Sequence, residues 1–268
     1  METGIRTLTS QDLNTVSSTQ QESLGAVGAT ADGRLFRYAG FGYVSGTSTF
    51  NPGQLMVAPA APANSTGLTI TATGTGGQVA GNLIAGSKTL VITNGSTAVW
   101  QDEFKEGYLV INVGGSGTSS VYNLKIKGNS AAAASTGYIT VTLADPIPAN
   151  ATTLVPGTDT ASLRLNPFGF VIPNTTESKA VGLVQVPSTA ATAAASATVS
   201  AGSYGWLQVG GFATLLATSA TLGYPVGQDV STTAGNVINK SSGTTTEELG
   251  TFLTAAANGV AYANLHIV

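Results

Sequence analysis

Apolar and polar residues alternate along much of this chain in runs too short for helices. From Gly67 to Gly77, Leu68, Ile70 and Ala72 are separated by threonines, the period-two pattern of a half-buried strand. Ser87–Ser96 repeats the pattern and closes on Asn94-Gly95, a tight-turn dipeptide. Tyr108–Val113 sets Leu109, Ile111 and Val113 against Tyr108, Val110 and Asn112. After a glycine-rich turn, Tyr122, Leu124 and Ile126 face away from Val121, Asn123, Lys125 and Lys127. The two lysines mark a solvent face and are a common guard on an edge strand. Gly137–Pro148 adds a further alternating strand, ended by Pro146 and Pro148.

Shorter strands are predicted at Arg34–Ala39 after the Asp32-Gly33 turn, and within Asn51–Pro59, Ser162–Pro173, Ala180–Ser188 and Leu222–Val230. Ser203–Ala217 reads as a hairpin turning at Gly210-Gly211, and the final run alternates from Val260 to Ile267. Helix signals are sparse. The alanine-rich segments near 131–135 and 188–198 read as loops. Thr244–Gly259 is the best helical candidate, with Thr246 as cap and Glu247 and Glu248 in a first turn. Turn signals every ~8–12 residues predict an all-β protein, a β-sandwich or β-barrel with long loops and little helix. Texture changes near Asn166. The expected organisation is an extended N-terminal arm over 1–22, a β-rich domain over 23–165 and a C-terminal domain over 166–268.

Composition narrows the function. Charged residues make up 9% of the 268, and 34 are glycine, so the chain is built for turns and close packing of small side chains. The net charge of −3 argues against nucleic acid and against an anionic membrane surface as partners. A surface this poorly charged is a solubility risk for a free monomer and is relieved by burial in an assembly. Cysteine is absent, which removes disulfides and thiol chemistry. The first 25 residues hold no apolar stretch of signal-peptide type, and no apolar run is long enough to span a bilayer, so synthesis in a cytoplasm is expected.

Candidate chemistry is thin. His266 is the single histidine and lacks a nucleophile motif, so it reads as a strand-face residue. Asp102, Glu103 and Glu106 would suit calcium or a glycosidase pair, but Lys105 lies among them and no calcium-loop pattern is present; a charged loop before a strand is the simpler reading. The glycine-rich stretches Gly74–Asn82 and Gly114–Ser120 lack the lysine of a phosphate loop. No catalytic residue, cofactor site or metal site is expected. The candidate interface residues are Ile5, Leu8, Leu13 and Val16, the apolar points of the polar arm, with Tyr204 and Trp206. The arm is expected either to fray or to order on a neighbouring molecule. Trp100 is expected in the core, and Trp206 is divided between core and interface.

Five stretches in order, ESLGAVGATADGRLFRYAGFG, FKEGYLVINVGGSGTSSVYNLKIKGN, LRLNPFGFVIP, AVGLVQVP and YGWLQVGG, are similar to the decoration, or cement, proteins of tailed-bacteriophage heads. The resemblance spans Glu22 to Val230. It implies a non-enzymatic β-rich virion protein on the outer surface of a capsid, often a homotrimer, whose partners are the major capsid protein and itself. It also implies that 166–268 forms a small β-barrel. The alternatives are a head-fibre, tail or adhesin module that binds a host-surface glycan, and a carboxylate-based glycosidase.

Overall fold

A computed structural model describes residues 4–42, 49–59, 65–114, 120–135, 137–149, 153–173, 179–185, 199–200, 203–229, 235–240, 247–257 and 259–267. The chain forms two compact units. One is split, Met1–Pro59 with Pro167–Val268; the other is the intervening Ala60–Asn166. The split unit begins with β1 (Arg6–Thr7), α1 (Ser10–Asn14), β2 (Val27–Ala29), β3 (Leu35–Gly40), β4 (Thr49–Phe50) and β5 (Leu55–Val57). The intervening unit holds β6 (Leu68–Thr69), β7 (Thr89–Thr93), β8 (Tyr108–Val113), β9 (Ser120–Asn129), β10 (Tyr138–Leu143) and β11 (Thr160–Arg164). The split unit resumes with β12 (Ile172–Pro173), β13 (Ala180–Val184), β14 (Val199–Ser200), β15 (Tyr204–Leu216), β16 (Pro225–Gln228), β17 (Val237–Asn239), β18 (Gly250–Phe252) and β19 (Val260–His266). The all-β expectation therefore holds.

In the intervening unit the six strands lie in the order β6-β11-β8-β9-β10-β7, with antiparallel pairing throughout. The sheet almost closes into a barrel. Just past β6, Ile70 bridges to Ile92 of β7, and the Thr71 amide donates to the Val91 carbonyl at 3.1 Å. The alternation seen in the sequence explains the interior. Leu109 and Ile111 point in from β8, Leu124 and Ile126 from β9, and Ile139, Val141 and Leu143 from β10, all in one core with Phe104. Each such side chain contributes ~1.5–3 kcal/mol by leaving water. β9 lies between β8 and β10, so Lys125 and Lys127 do not guard an edge.

The split unit is woven from its two halves. β15 pairs antiparallel with β3 along its first half, from Tyr204↔Gly40 to Gly210↔Leu35, and with β19 along its second half. β13 joins β15 to β5. Beyond this, β15-β19-β18-β16-β17 curls round until Ala217 bridges to Val237, and Leu215, Val226, Phe252, Ala263 and Leu265 fill the inside. This curl is the small C-terminal barrel.

Four expectations need correction. The domains are not serial: the chain does turn at Asn166, but residues up to Pro59 belong with the C-terminal part because β3 and β5 pair with β15 and β13. The arm expected over 1–22 is not extended across its described residues. Residues 4–22 order on their own chain, with β1 parallel to β2 and a short helix α1. The hairpin at Gly210-Gly211 is instead one 13-residue strand with a bulge between Gln208 and Gly210, since β3 and β19 supply partners on either side of it. Among the described residues the helix is also absent. Thr244–Thr246 lies outside the described residues, and Gly250–Phe252 is strand β18, paired with β19. Leu249 and Phe252, three apart and both buried, imitate a helical period, and strand pairing overrides it.

Candidate functional site

Residues 4–22 form a strap across the start of β15. It opens with Arg6. The guanidinium donates to Asp12 Oδ1 at 2.8 Å through Nη2 and to Glu22 Oε1 through Nη1, and its centre lies 6.0 Å from the Trp206 ring. Thr9 caps α1. Its hydroxyl accepts from the Asp12 amide at 3.2 Å, and Asp12 Oδ2 accepts from the Thr9 amide at 2.8 Å, a reciprocal capping box. The strap is stitched down at both ends: the Leu8 amide donates to the Ala29 carbonyl at 2.8 Å, and Ser17 exchanges two backbone bonds with Tyr204 at 3.0 and 2.7 Å.

Below the strap lies an aromatic cluster. Tyr38 stacks on Tyr204 with ring centres 6.4 Å apart and meets Trp206 edge-on at 5.2 Å. Tyr38 and Trp206 are buried together with Leu8, Leu13 and Phe36. The Gln21 amide donates to the Tyr38 hydroxyl at 3.0 Å. Burial pushes the Tyr38 phenol above its ordinary range, with the Gln21 bond acting the other way. Between strap and sheet is a cleft of about 330 Å³ walled by Arg6, Gln11, Asp12, Gln21, Glu22 and Tyr204. The Thr9 hydroxyl and amide, followed by Arg6, hold the Asp12 carboxyl below its usual value. Arg6 is shared by two carboxylates, so the cleft's polar groups fasten the strap to the cluster.

The structure brings four of the six interface candidates into one cluster and places Val16 on a neighbouring one. Leu8 and Leu13 are buried against Trp206, Tyr204 packs on the same cluster, and Val16 packs beside Phe41 and Phe50. Ile5 stands apart and is exposed. The Thr9-Ser-Gln-Asp12 spacing was the sequence signal for the cap, and the sequence reading passed over it. Gly28 had no such signal. A β-carbon there would sit 2.4 Å from Leu8 and 3.0 Å from Trp206, so only glycine lets Leu8 seat on the ring.

The other candidate groups have structural partners. In the intervening unit, Asp102 Oδ1 accepts from the Asn129 amide at 3.2 Å and Glu103 Oε2 accepts from the Trp100 amide at 2.8 Å. Burial pushes the Glu103 carboxyl up, and the Trp100 bond offsets part of this. Among the described residues, no group of three or more His, Asp or Glu is gathered as a metal site. The residue that organises this loop is Asn129, which the sequence did not mark. Its buried side chain accepts from the Phe104 amide and donates to the Trp100 and Ser130 carbonyls, at 2.8, 2.8 and 3.0 Å. Trp100 itself is 51% exposed, which corrects the expectation of a core tryptophan. Trp206, in contrast, is a core residue. His266 lies on the outer face of β19. No helix among the described residues is long and apolar enough to cross a membrane. No family model, curated protein or solved structure matches the chain.

Proposed function

We propose that this chain is a non-enzymatic structural protein of a bacteriophage virion, which binds the outer surface of the capsid and cements neighbouring major capsid subunits. The observation that carries this reading is where the resembling stretches fall. Three of them, far apart in sequence, supply β2, β3, β13 and β15, and the pairings β2-β3-β15-β13 make them one continuous piece of sheet; a fourth supplies β12, which joins β13 through β5. The fifth is the β8-β9 hairpin of the other unit. The stretches that carry the resemblance are thus scaffold, as the reading requires of a protein that works by shape and contact.

Self-association, proposed as a homotrimer, draws on one exposed patch. Phe212 and Tyr262 stack on the outer face of the C-terminal curl with ring centres 5.5 Å apart. They are 56% and 41% exposed, and Leu253, whose amide bonds the Tyr262 carbonyl, is exposed beside them. An exposed apolar patch of this kind marks a protein contact. The test of the main reading is the copy number of this chain relative to the major capsid protein in purified particles. A ratio near one to one is expected. Absence, or a few copies per hundred, overturns it and turns attention to a fibre, vertex or tail component and to glycan receptors.

A further inference from the structure

Within the intervening unit, three carboxylates and three cations stand in contrasting settings. The unit contains five acidic residues, Asp102, Glu103, Glu106, Asp145 and Asp159, and five cations, Lys88, Lys105, Lys125, Lys127 and Arg164, all of them described. Three carboxylates are turned onto the unit's own loop amides. Asp102 accepts from Asn129, Glu103 from Trp100, and the buried Asp159 accepts from Gly114 and Val155 at 2.8 and 2.7 Å. Three cations do the opposite. Lys125, Lys127 and Arg164 stand on strands, point out of the sheet, and are ion-paired with none of those carboxylates.

Strand register then sets them in a row. Arg164 of β11 is the direct partner of Tyr108 of β8, and Tyr108 is the direct partner of Lys125 of β9. Direct partners stand ~4.5–5.5 Å apart at their β-carbons, so the Arg164 and Lys125 side chains leave the sheet on either side of Tyr108. Tyr108 is 49% exposed, and Lys127 follows two residues beyond Lys125 on the same side. The inward neighbours Leu109, Leu124 and Leu163 belong to the packed core, so the row rests on a rigid wall. Arginine and tyrosine are the residue types that most often anchor protein interfaces. The wall is sheet, and the shape that suits it is another folded surface.

We propose that the outer wall of β11-β8-β9 is a docking face for an acidic patch on a protein partner, centred on Arg164, Tyr108 and Lys125. Within the cement reading, on which this rests, the partner is the outer surface of the capsid shell. A carboxylate pair on that surface bonds the Arg164 fork and the Lys125 ammonium, and the Tyr108 ring packs between them. The chain as a whole carries −3, so this row is a local reversal of its charge and orients the approach as well as holding the contact.

The experiment uses the full chain and phage heads assembled without it, with binding read by co-sedimentation. Wild type is expected to bind, and Lys125→Glu/Arg164→Glu to bind at least ~10-fold more weakly, with Tyr108→Ala intermediate. Lys240→Glu, the same change of charge on the split unit, is expected to bind as wild type, and equal melting temperatures show that all variants fold. Poly-L-glutamate is expected to compete with the heads. Failure of wild type to bind removes the cement reading and this inference with it. Wild type binding with an unaffected double variant leaves the cement reading standing and overturns the docking face. Competition by polygalacturonate but not by poly-L-glutamate overturns the protein partner in favour of an acidic glycan.

Discussion

Single residues hold the two least regular parts of this protein, the strap and the loop before β8. Asn129→Ala removes the side chain bonded to the buried Phe104 amide, along with its bonds to the Trp100 and Ser130 carbonyls. A buried group left unpaired costs ~1–3 kcal/mol, so a loss of about 2–3 kcal/mol is expected in urea unfolding. Two carboxylates pull in opposite directions with pH. Asp12 has a folded pKa below 3.8, so it stabilises the strap above that value and the contribution is lost as pH falls through the folded pKa. Trp206 emission should shift to the red as pH falls below 3.8 in a Trp100→Phe background, and Asp12→Asn should show the shift at neutral pH. Glu103 is the reverse. Its folded pKa lies above 4.5, so its ionisation costs stability as pH rises through that region. Glu103→Gln should abolish this slope in unfolding measured between pH 4 and 7. An unchanged slope would mean that another group titrates. None of these roles was legible beforehand except the Thr9–Asp12 cap. A capping box has a local spacing, whereas the value of Asn129 or Gly28 depends on what the rest of the chain brings to it.

At the scale of elements, period-two alternation was a reliable guide where one face of a strand is buried and the other wet. β8, β9, β10 and β19 follow it closely, and their inward residues are the core. It was silent where both faces are covered: β13 is buried at all five positions and β5 at all three. Glycine misled the reading at β15, where Gly210-Gly211 has the composition of a turn but serves a bulge. Gly211 has φ +82°, a left-handed conformation that lets the strand change partners without ending. Close approach decides the matter at Gly107. A β-carbon there would lie 2.0 Å from the Arg164 carbonyl oxygen, so Gly107→Ala has to push β11 away from the start of β8. Overpacking against backbone costs ~1–3 kcal/mol or more, and the expected outcome is selective loss of protection from hydrogen exchange in β8 and β11.

For the whole molecule, the sequence placed one boundary, at Asn166, and missed its counterpart at Pro59. Boundaries show in sequence as changes of texture, and β3 and β5 have the same texture as the strands that follow Ala60. The intervening unit has its own core and a nearly closed sheet. A polypeptide of residues 60–166 should therefore fold alone, with a cooperative thermal transition and strand-type circular dichroism. A non-cooperative melt would show that the split unit is required. On the proposed self-association through the curl's apolar patch, wild type is expected to be oligomeric by light scattering and Phe212→Ser/Tyr262→Ser monomeric.

The pairing of β3 with β15 also has a consequence in time. These partners are about 170 residues apart in the chain, counting from Tyr38 to Trp206. A ribosome adds ~5–20 residues per second, so the first strands wait many seconds for their neighbours, and the unit between them can finish folding meanwhile. During synthesis the middle of the protein comes first and its beginning last. The strap, seated on Trp206, is fastened only after that residue has emerged.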